Sequence, residues 1–442
     1  MKKIPRKLDI VTITAYIILL ILALIPFHAF LSVWASSLFG HYTLMRLWKE
    51  GLLLVALLAS IYLFLSDKKL RKYFLSNKLF YLIIGYLAVQ VIWGLVAYKH
   101  HDLTKKALLY GLLLNCRFII FFLIAWAISI KTNLLNSSSI KVIILPATIV
   151  ILFGLAQIFI FPKDFLVHFG YSLKTIPAYE TINNNANYPR IISTLRGANP
   201  LGAYLLIPLS LVTVLFFRFK KSWQKAIFIF AGLTVLIFTF SRSAWIGSVA
   251  AISFSIFYSV KDKATRDKLL VLSILTAIIL VTTAVVFRNN PHIQNIVLHT
   301  QNHSLVKTTS DQGHSNALRL GLKDLVSNPL GKGTGSAGPA SVYNNHRTRI
   351  AENYYIQIGQ ETGIIGLLLF LTINIYLGII LWKQKQDNLS LALLASFIGI
   401  FIINMLSHAW SDDTLAYLWW GLAGTAIGSH LKTNKANSKS KT

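Results

Sequence analysis

The chain has 442 residues, of which 55% are hydrophobic and only 13% charged. Its mean hydropathy is +0.60, which excludes an ordinary water-soluble domain of this size. The net charge of +28 suggests nucleic acid until its distribution is read, because the basic residues gather in short segments between apolar runs.

Twelve apolar stretches fall roughly at 10–30, 45–66, 79–98, 107–130, 142–161, 201–217, 226–240, 244–260, 269–287, 364–382, 389–406 and 415–430. Most are long enough to cross ~30 Å of hydrocarbon as helices, so the expected fold is an all-α polytopic membrane protein with about twelve spans. The first follows MKKIPRKLD. No small-residue cleavage site succeeds it, and Pro26-Phe27-His28 argues for a retained helix rather than a signal peptide. The single Cys116 lies in an apolar run and forms no internal disulfide. There is no internal repeat and no separate soluble domain.

Between the spans, one set of loops carries Lys2, Lys3, Arg6 and Lys7, then Lys68–Lys72, Lys131 and Lys141, Arg218–Lys225, Lys261–Lys268, Lys383 and Lys385, and finally the tail from Lys432. All fall on one side if both termini are cytoplasmic, and anionic lipid headgroups rather than nucleic acid are the expected partners of this charge. Short turns at Lys99–Lys106, Ser241–Ser243 and Ser407–Thr414, with two long loops, fall on the other side. The expected organisation is an N-terminal helical part (1–161), a first extracytoplasmic loop (162–200), central helices (201–287), a large extracytoplasmic loop (288–363), C-terminal helices (364–430) and a basic, disordered tail (431–442).

The polar residues that can do chemistry sit mainly on that outer side. Arg242, in IFTFSRSAWIG, lies between two apolar runs with almost no loop. A guanidinium there either snorkels to the interface or clamps an anion, and its planar fork suits phosphate. Arg117, in LLLNCRFIIFF, is nearer mid-span and fits a structural pairing as well as a functional role. In YPRIISTLRGANPLGAYL, Arg190 and Arg196 approach the next helix, Pro200 suits its first turn and Asn199 fits an N-cap. This segment reads either as a plain loop-to-helix junction or as a second phosphate or sugar contact.

The large loop contains GHSNALRLGLKDLVSNPLG, an amphipathic helix that Asn328-Pro329 should end, with His314 at its start and Arg319 just over one turn on. The glycines of GKGTGSAGP would let backbone approach a ligand, but the stretch lacks the phosphate-loop pattern of nucleotide-binding proteins. AENYYIQIGQETGIIG then places Glu352 and Asn353 at the start of the tenth span. The tyrosines are consistent with an interfacial belt, and Glu352 with a residue that merely complements a helix dipole. Together Glu352, Asn353, His314 and Arg319 make a polar cluster beside Arg242 plausible. Asp412 and Asp413 are adjacent and do not face one another on a helix. No metal site, serine nucleophile or cofactor motif is present in the sequence.

Four segments resemble the O-antigen ligase and polymerase superfamily of bacterial envelope glycan enzymes: SRSAWIG, RIISTLRGANPLGAYL, GHSNALRLGLKDLVSNPLGKGTG and ENYYIQIGQETGIIGLLLFL. The resemblance covers about 190–370. It implies a GT-C-like helical fold, a polyprenyl-diphosphate-linked glycan as donor, and transfer to an acceptor hydroxyl on a glycan, lipid or wall polymer at the outer face of the cytoplasmic membrane. It further implies that Arg242 and Arg319 bind the diphosphate, and that His314, at a position often filled by Arg, either binds phosphate or shares the proton chemistry; Arg196 and Arg190 are expected to add diphosphate contacts, Asn199 and Asn353 to contact glycan or acceptor, and Glu352 or His314 to serve as base. Ligases of the family commonly carry His where this chain has Glu352. That difference tilts the expectation towards a metal-independent polymerase over a ligase. The competing expectation, a lipid-linked oligosaccharide flippase, would favour repeated halves and helices broken near the midplane. A membrane acyltransferase would place its His near a cytosolic donor, the wrong side for His314.

Overall fold

The computed structural model describes residues 9–132, 134, 140–182, 185–219, 222–290, 294, 296, 310–345 and 347–439. Its helices are α1 (Ile10–Leu24), α2 (His28–Phe39), α3 (Tyr42–Met45), α4 (Trp48–Ser66), α5 (Lys68–Leu75), α6 (Lys78–Lys99), α7 (Lys105–Lys131) and α8 (Lys141–Phe159). A two-stranded antiparallel hairpin, β1 (Glu180–Ile182) and β2 (Asn185–Arg190), precedes α9 (Ala198–Arg218), α10 (Trp223–Phe238), α11 (Arg242–Ser259) and α12 (Lys263–Val286). The chain ends with α13 (Ser310–Ser327), α14 (Tyr354–Lys383), α15 (Asn388–Leu406) and α16 (Asp413–Lys439).

Among the described residues, eight helices are long and apolar enough to cross a membrane: α1 with α2, α4, α6, α7, α8, α9, α14 and α15. The four other apolar stretches read from the sequence are helical too, in α10, α11, α12 and α16. Polar caps mark where several helices start. The Thr104 hydroxyl accepts from Ala107 N at 3.1 Å, and the Asp387 carboxylate accepts from Ser390 N at 2.8 Å.

The interior is an α-helical bundle in which α16 lies along α7. The approach is close because α16 presents glycine to the α7 backbone: a Cβ on Gly424 would stand 2.5 Å from the Phe122 carbonyl oxygen. Trp126, Trp410, Trp419 and Trp420 are fully buried around this contact, and α9, α11 and α15 pack together beside it.

Five titratable groups meet inside the bundle. Lys49 and Arg117 are 2% and 4% exposed, so burial must be matched by opposite charge. Lys49 Nζ lies 2.9 Å from Asp413 and 3.0 Å from Glu50, and Arg117 pairs with Asp413 and, at 3.1 Å, with Glu50. His28 Nε2 is 3.3 Å from Asp413 and its Nδ1 accepts from the Trp48 indole at 3.0 Å. Two cations and two anions thus balance, and the pairing reading of Arg117 is the one the structure shows. Asp413→Ala should leave two buried cations facing one carboxylate. We expect a loss of about 3–5 kcal/mol, read as a large fall in melting temperature in detergent. An unchanged melting curve would mean the network carries no stability.

Several sequence expectations need correction. Asn199 is not an N-cap: α9 begins at Ala198, and Gly197 occupies the cap without a side-chain bond. The Glu180 carboxylate, brought across by the hairpin, accepts from Ala198 N instead at 3.3 Å. The tenth span keeps its expected start at 364, but the stretch of the large loop before it is helical as well. α14 starts at Tyr354 and is interrupted at Gly363 (φ 65°), so a buried helical turn of the large loop runs directly into the span. The tail from 431 is not an irregular extension, since α16 remains helical through Lys439. The first part of the large loop lies mostly outside the described residues.

Candidate active site

The site is assembled where α9, the α10–α11 turn and the α15–α16 turn meet the return of the large loop. α10 ends at Phe238, and Phe240 takes a left-handed φ of 49° so that α11 can begin at Arg242 almost at once. Arg242 is therefore half-buried in the first turn of α11, where backbone N–H groups also favour an anion. The segment after β2 is tied to this turn. Ile191 N donates to the Phe238 carbonyl at 3.4 Å, and Arg190 Nε donates to the Thr239 carbonyl at 2.8 Å. Arg190 also donates to Asn199 Oδ1 at 2.6 Å and lies 3.5 Å from Glu180. Burial lowers the Arg190 pKa, Glu180 opposes that, and repulsion from Arg242 adds to it. Arg190 and Arg242 thus face one another closely enough for their charges to repel, with Glu180 offsetting part of that repulsion.

Arg196 takes the next position. Its Nε donates to Asp412 Oδ2 at 2.6 Å, while nearly half of its side chain stays exposed. Arg196, Asn199, Glu180, His408 and Asp412 line one cavity of about 230 Å³. Asp412 is fixed in turn, its other oxygen accepting from Leu415 N at 3.2 Å.

His314 of α13 pairs with Glu352. Glu352 sits at a left-handed φ of 52°, a conformation that costs a non-glycine residue roughly 1–3 kcal/mol. Its neighbours hold it there. The Asn353 side chain caps α14 by accepting from Ile356 N at 3.0 Å and donates to the Met405 carbonyl at 2.9 Å. Tyr354 N donates to the Ser407 carbonyl at 3.2 Å. These bonds bind the His314–Glu352 pair to the turn that carries His408.

His408 lines the Arg196 cavity next to Ser407, whose carbonyl accepts from Tyr354 N, so its turn joins the two halves of the site. Burial first, and then Arg196, push its pKa down to about 4. The ring is neutral near pH 7. Because the folded value lies below the ordinary 6.5, this contribution to stability is intact above pH 6.5. It is lost as the pH falls from 6.5 towards 4. The expected loss is on the order of 2–3 kcal/mol over that window. Melting curves in detergent from pH 7.5 to 4.5 should fall more steeply for the native chain than for His408→Gln; parallel curves would contradict this.

Of the residues expected from the sequence, Arg190, Arg196, Arg242 and Asn199 are brought to one place, and His314, Glu352 and Asn353 to its edge. Arg319 is not. It is exposed on α13, five residues after His314 and so on another face of the helix, and it makes no ion pair among the described residues. Glu180, His408 and Asp412 were not singled out. The signal was a polar SHAWSDD turn between two spans, richer in titratable groups than a connection needs.

The glycine-rich turn also plays a different part from the one expected. Gly331, Gly333, Gly335 and Gly338 all have positive φ, but their backbone lies against protein. A Cβ on Gly111 of α7 would come within 2.6 Å of Gly335 N. Gly335 N also donates to the buried Glu361 carboxylate at 2.9 Å, and the Asn115 amide donates to its other oxygen at 2.5 Å. The turn clamps the loop onto α6, α7 and α14.

Residues 227–371 match the family model for O-antigen ligase. This stretch runs from α10 into α14 and contains Arg242, His314, Arg319, Glu352 and Asn353. No curated protein matches the chain.

Proposed function

We propose that this polytopic membrane protein, whose central segment is of the O-antigen ligase family, transfers a glycan from a polyprenyl-diphosphate carrier to an acceptor hydroxyl. The chemistry takes place at the outer face of the cytoplasmic membrane, with both termini cytoplasmic and twelve spans in a GT-C-like arrangement. The observation that carries this reading is the meeting of Arg190, Arg196 and Arg242 beside a cavity also lined by Asn199 and His408, with the His314–Glu352 pair at its edge.

The chemistry follows from what those groups can do. The bond from the anomeric carbon to the diphosphate oxygen breaks, and negative charge grows on the leaving phosphates. Fixed guanidiniums stabilise that charge without reorganising, which is the largest single contribution such a site can make. The acceptor oxygen attacks the opposite face of the sugar, so configuration inverts, and its proton passes to the His314–Glu352 pair. In that pair one member takes the proton while the other holds it in orientation. Asn199 and Asn353 are the proposed contacts to glycan or acceptor. Arg319, lying outside the cluster, is proposed to reach the donor only if α13 turns over the site. No metal is called for, because the diphosphate is already a good leaving group and its charge is met by arginine.

Purified protein incubated with a lipid-diphosphate repeat unit is the direct test. A ladder of lipid-linked products without any added acceptor is the outcome expected of a polymerase. Product only on addition of a second acceptor means a ligase. Movement of intact lipid across the bilayer without transfer would replace this reading with transport.

A further inference from the structure

Two groups that line the Arg196 cavity take no part in the transfer chemistry, Glu180 and His408. The hairpin brings Glu180 in from one side, and the α15–α16 turn brings His408 in from the other. Glu180 Oε2 accepts from Ala198 N at 3.3 Å and lies 3.5 Å from Arg190, but Oε1 accepts no hydrogen bond among the described residues. Gly197 makes room for that oxygen: a Cβ there would stand 2.5 Å from it. The His408 side chain also makes no hydrogen bond among the described residues. Its Nδ1 is enclosed, so Nε2 is the nitrogen left to meet a ligand. Polar groups without partners at a partly closed site call for one.

The lining suits a polyol better than an anion. Asp412 holds Arg196 through Nε, which leaves the terminal nitrogens of Arg196 for a phosphate at the rim. Inside the cavity those two charges offset one another, and the charge of Glu180 remains. A phosphate there would be repelled by it, whereas a hydroxyl would donate to it in a charge-assisted bond. The His408 ring is neutral near pH 7, since burial and Arg196 hold its pKa down to about 4, so it can accept from one hydroxyl or donate to another. Ala203 and Ile403 add an apolar patch on which the C–H face of a sugar ring can lie. The volume of about 230 Å³ is below the ~300–1,000 Å³ of clefts that take drug-sized ligands, so it suits one ring rather than a chain of them. Asn199, which lines the same cavity, accepts from Arg190 at 2.6 Å and so sets it beside the Arg190–Arg242 pair.

We propose that Glu180 and His408 read the sugar next to the diphosphate, each through a hydroxyl, and so set which donor the protein accepts. This rests on the proposed diphosphate role of Arg190 and Arg242 and extends it, with phosphate on the guanidiniums and the first sugar in the Arg196 cavity. Neither residue lies within 227–371, so selectivity for the sugar is carried outside the segment that matches the family model.

The test titrates full-length protein in phosphatidylcholine vesicles with polyprenyl diphosphate, either bare or carrying a single glucose, galactose or N-acetylglucosamine. The native chain should bind one of the sugar-bearing probes roughly tenfold or more tighter than the bare diphosphate. His408→Leu and Glu180→Gln should each remove most of that preference and leave Kd for the bare diphosphate unaltered. Gly197→Ala, which sets a methyl group against Glu180 Oε1 without changing any charge, should reduce the preference as well. Equal weakening of bare and sugar-bearing probes in His408→Leu and Glu180→Gln would make these residues supports of the fold and overturn the assignment. A preference that survives both substitutions, or a native chain that prefers none of the sugars, would overturn it too. Arg242→Ala should weaken all probes alike. If it weakens none, the diphosphate reading fails and the sugar loses its place beside it, even where the preference itself depends on His408.

Discussion

Arg242→Ala is expected to abolish surface polymer while the protein still inserts, and lipid-linked intermediate should accumulate. Arg242 opens α11 beside Arg190, whose own pKa is lowered by burial and by this neighbour. Removing one of the cations that meet a developing diphosphate charge in a site of this kind costs on the order of 10²–10³ in turnover. Lysine should restore little, because its point charge lacks the planar fork that engages two phosphate oxygens. Arg196→Ala should behave alike, since Arg196, held by Asp412, lines a cavity with Asn199, the hydrogen-bond partner of Arg190. The measurement is turnover with a lipid-diphosphate repeat unit, alongside gel analysis of polymer in cells. Normal polymer length and yield in both variants would remove the diphosphate clamp from the mechanism.

Glu352→Gln is expected to lower turnover by roughly 10²–10⁴ while donor binding persists. The amide keeps the size of the side chain but can neither take a proton nor balance a protonated His314. His314→Gln should lose a comparable factor. The double variant should lose little more than either single one, because two groups that act as a unit do not lose their effects independently. Full activity in Glu352→Gln would show that Glu352 is not the base. Additive losses would show that the two residues act separately.

The parts of this molecule that could be read from the chain are those set by local pattern. Long apolar runs specify helices wherever they occur, and all twelve expected stretches are helical. The Asn328-Pro329 stop after α13 was legible for the same reason, since proline bars the preceding residue from continuing a helix. What was hidden depends on partners far apart in sequence. Asp412 acquires its part only by meeting Arg196, 216 residues earlier. Lys49 and Glu50 look like the polar start of a span until α16 places Asp413 against them. Arg319 shows the reverse case: its residue type and neighbourhood suggested a site contact, but a helix turns a side chain five positions on away from His314.

Asp412 and Asp413 are joined by a single peptide bond, yet their side chains serve different structures. Asp412 holds Arg196 at the outer cavity, and Asp413 holds Arg117 and Lys49 inside the bundle. The start of α16 is thereby pinned on both sides. Tilting this helix to widen the outer cavity would separate ion pairs within the bundle at the same stroke. A substitution at either aspartate should therefore be felt on both sides of this helix start, in the cavity that Arg196 lines and in the buried ion pairs.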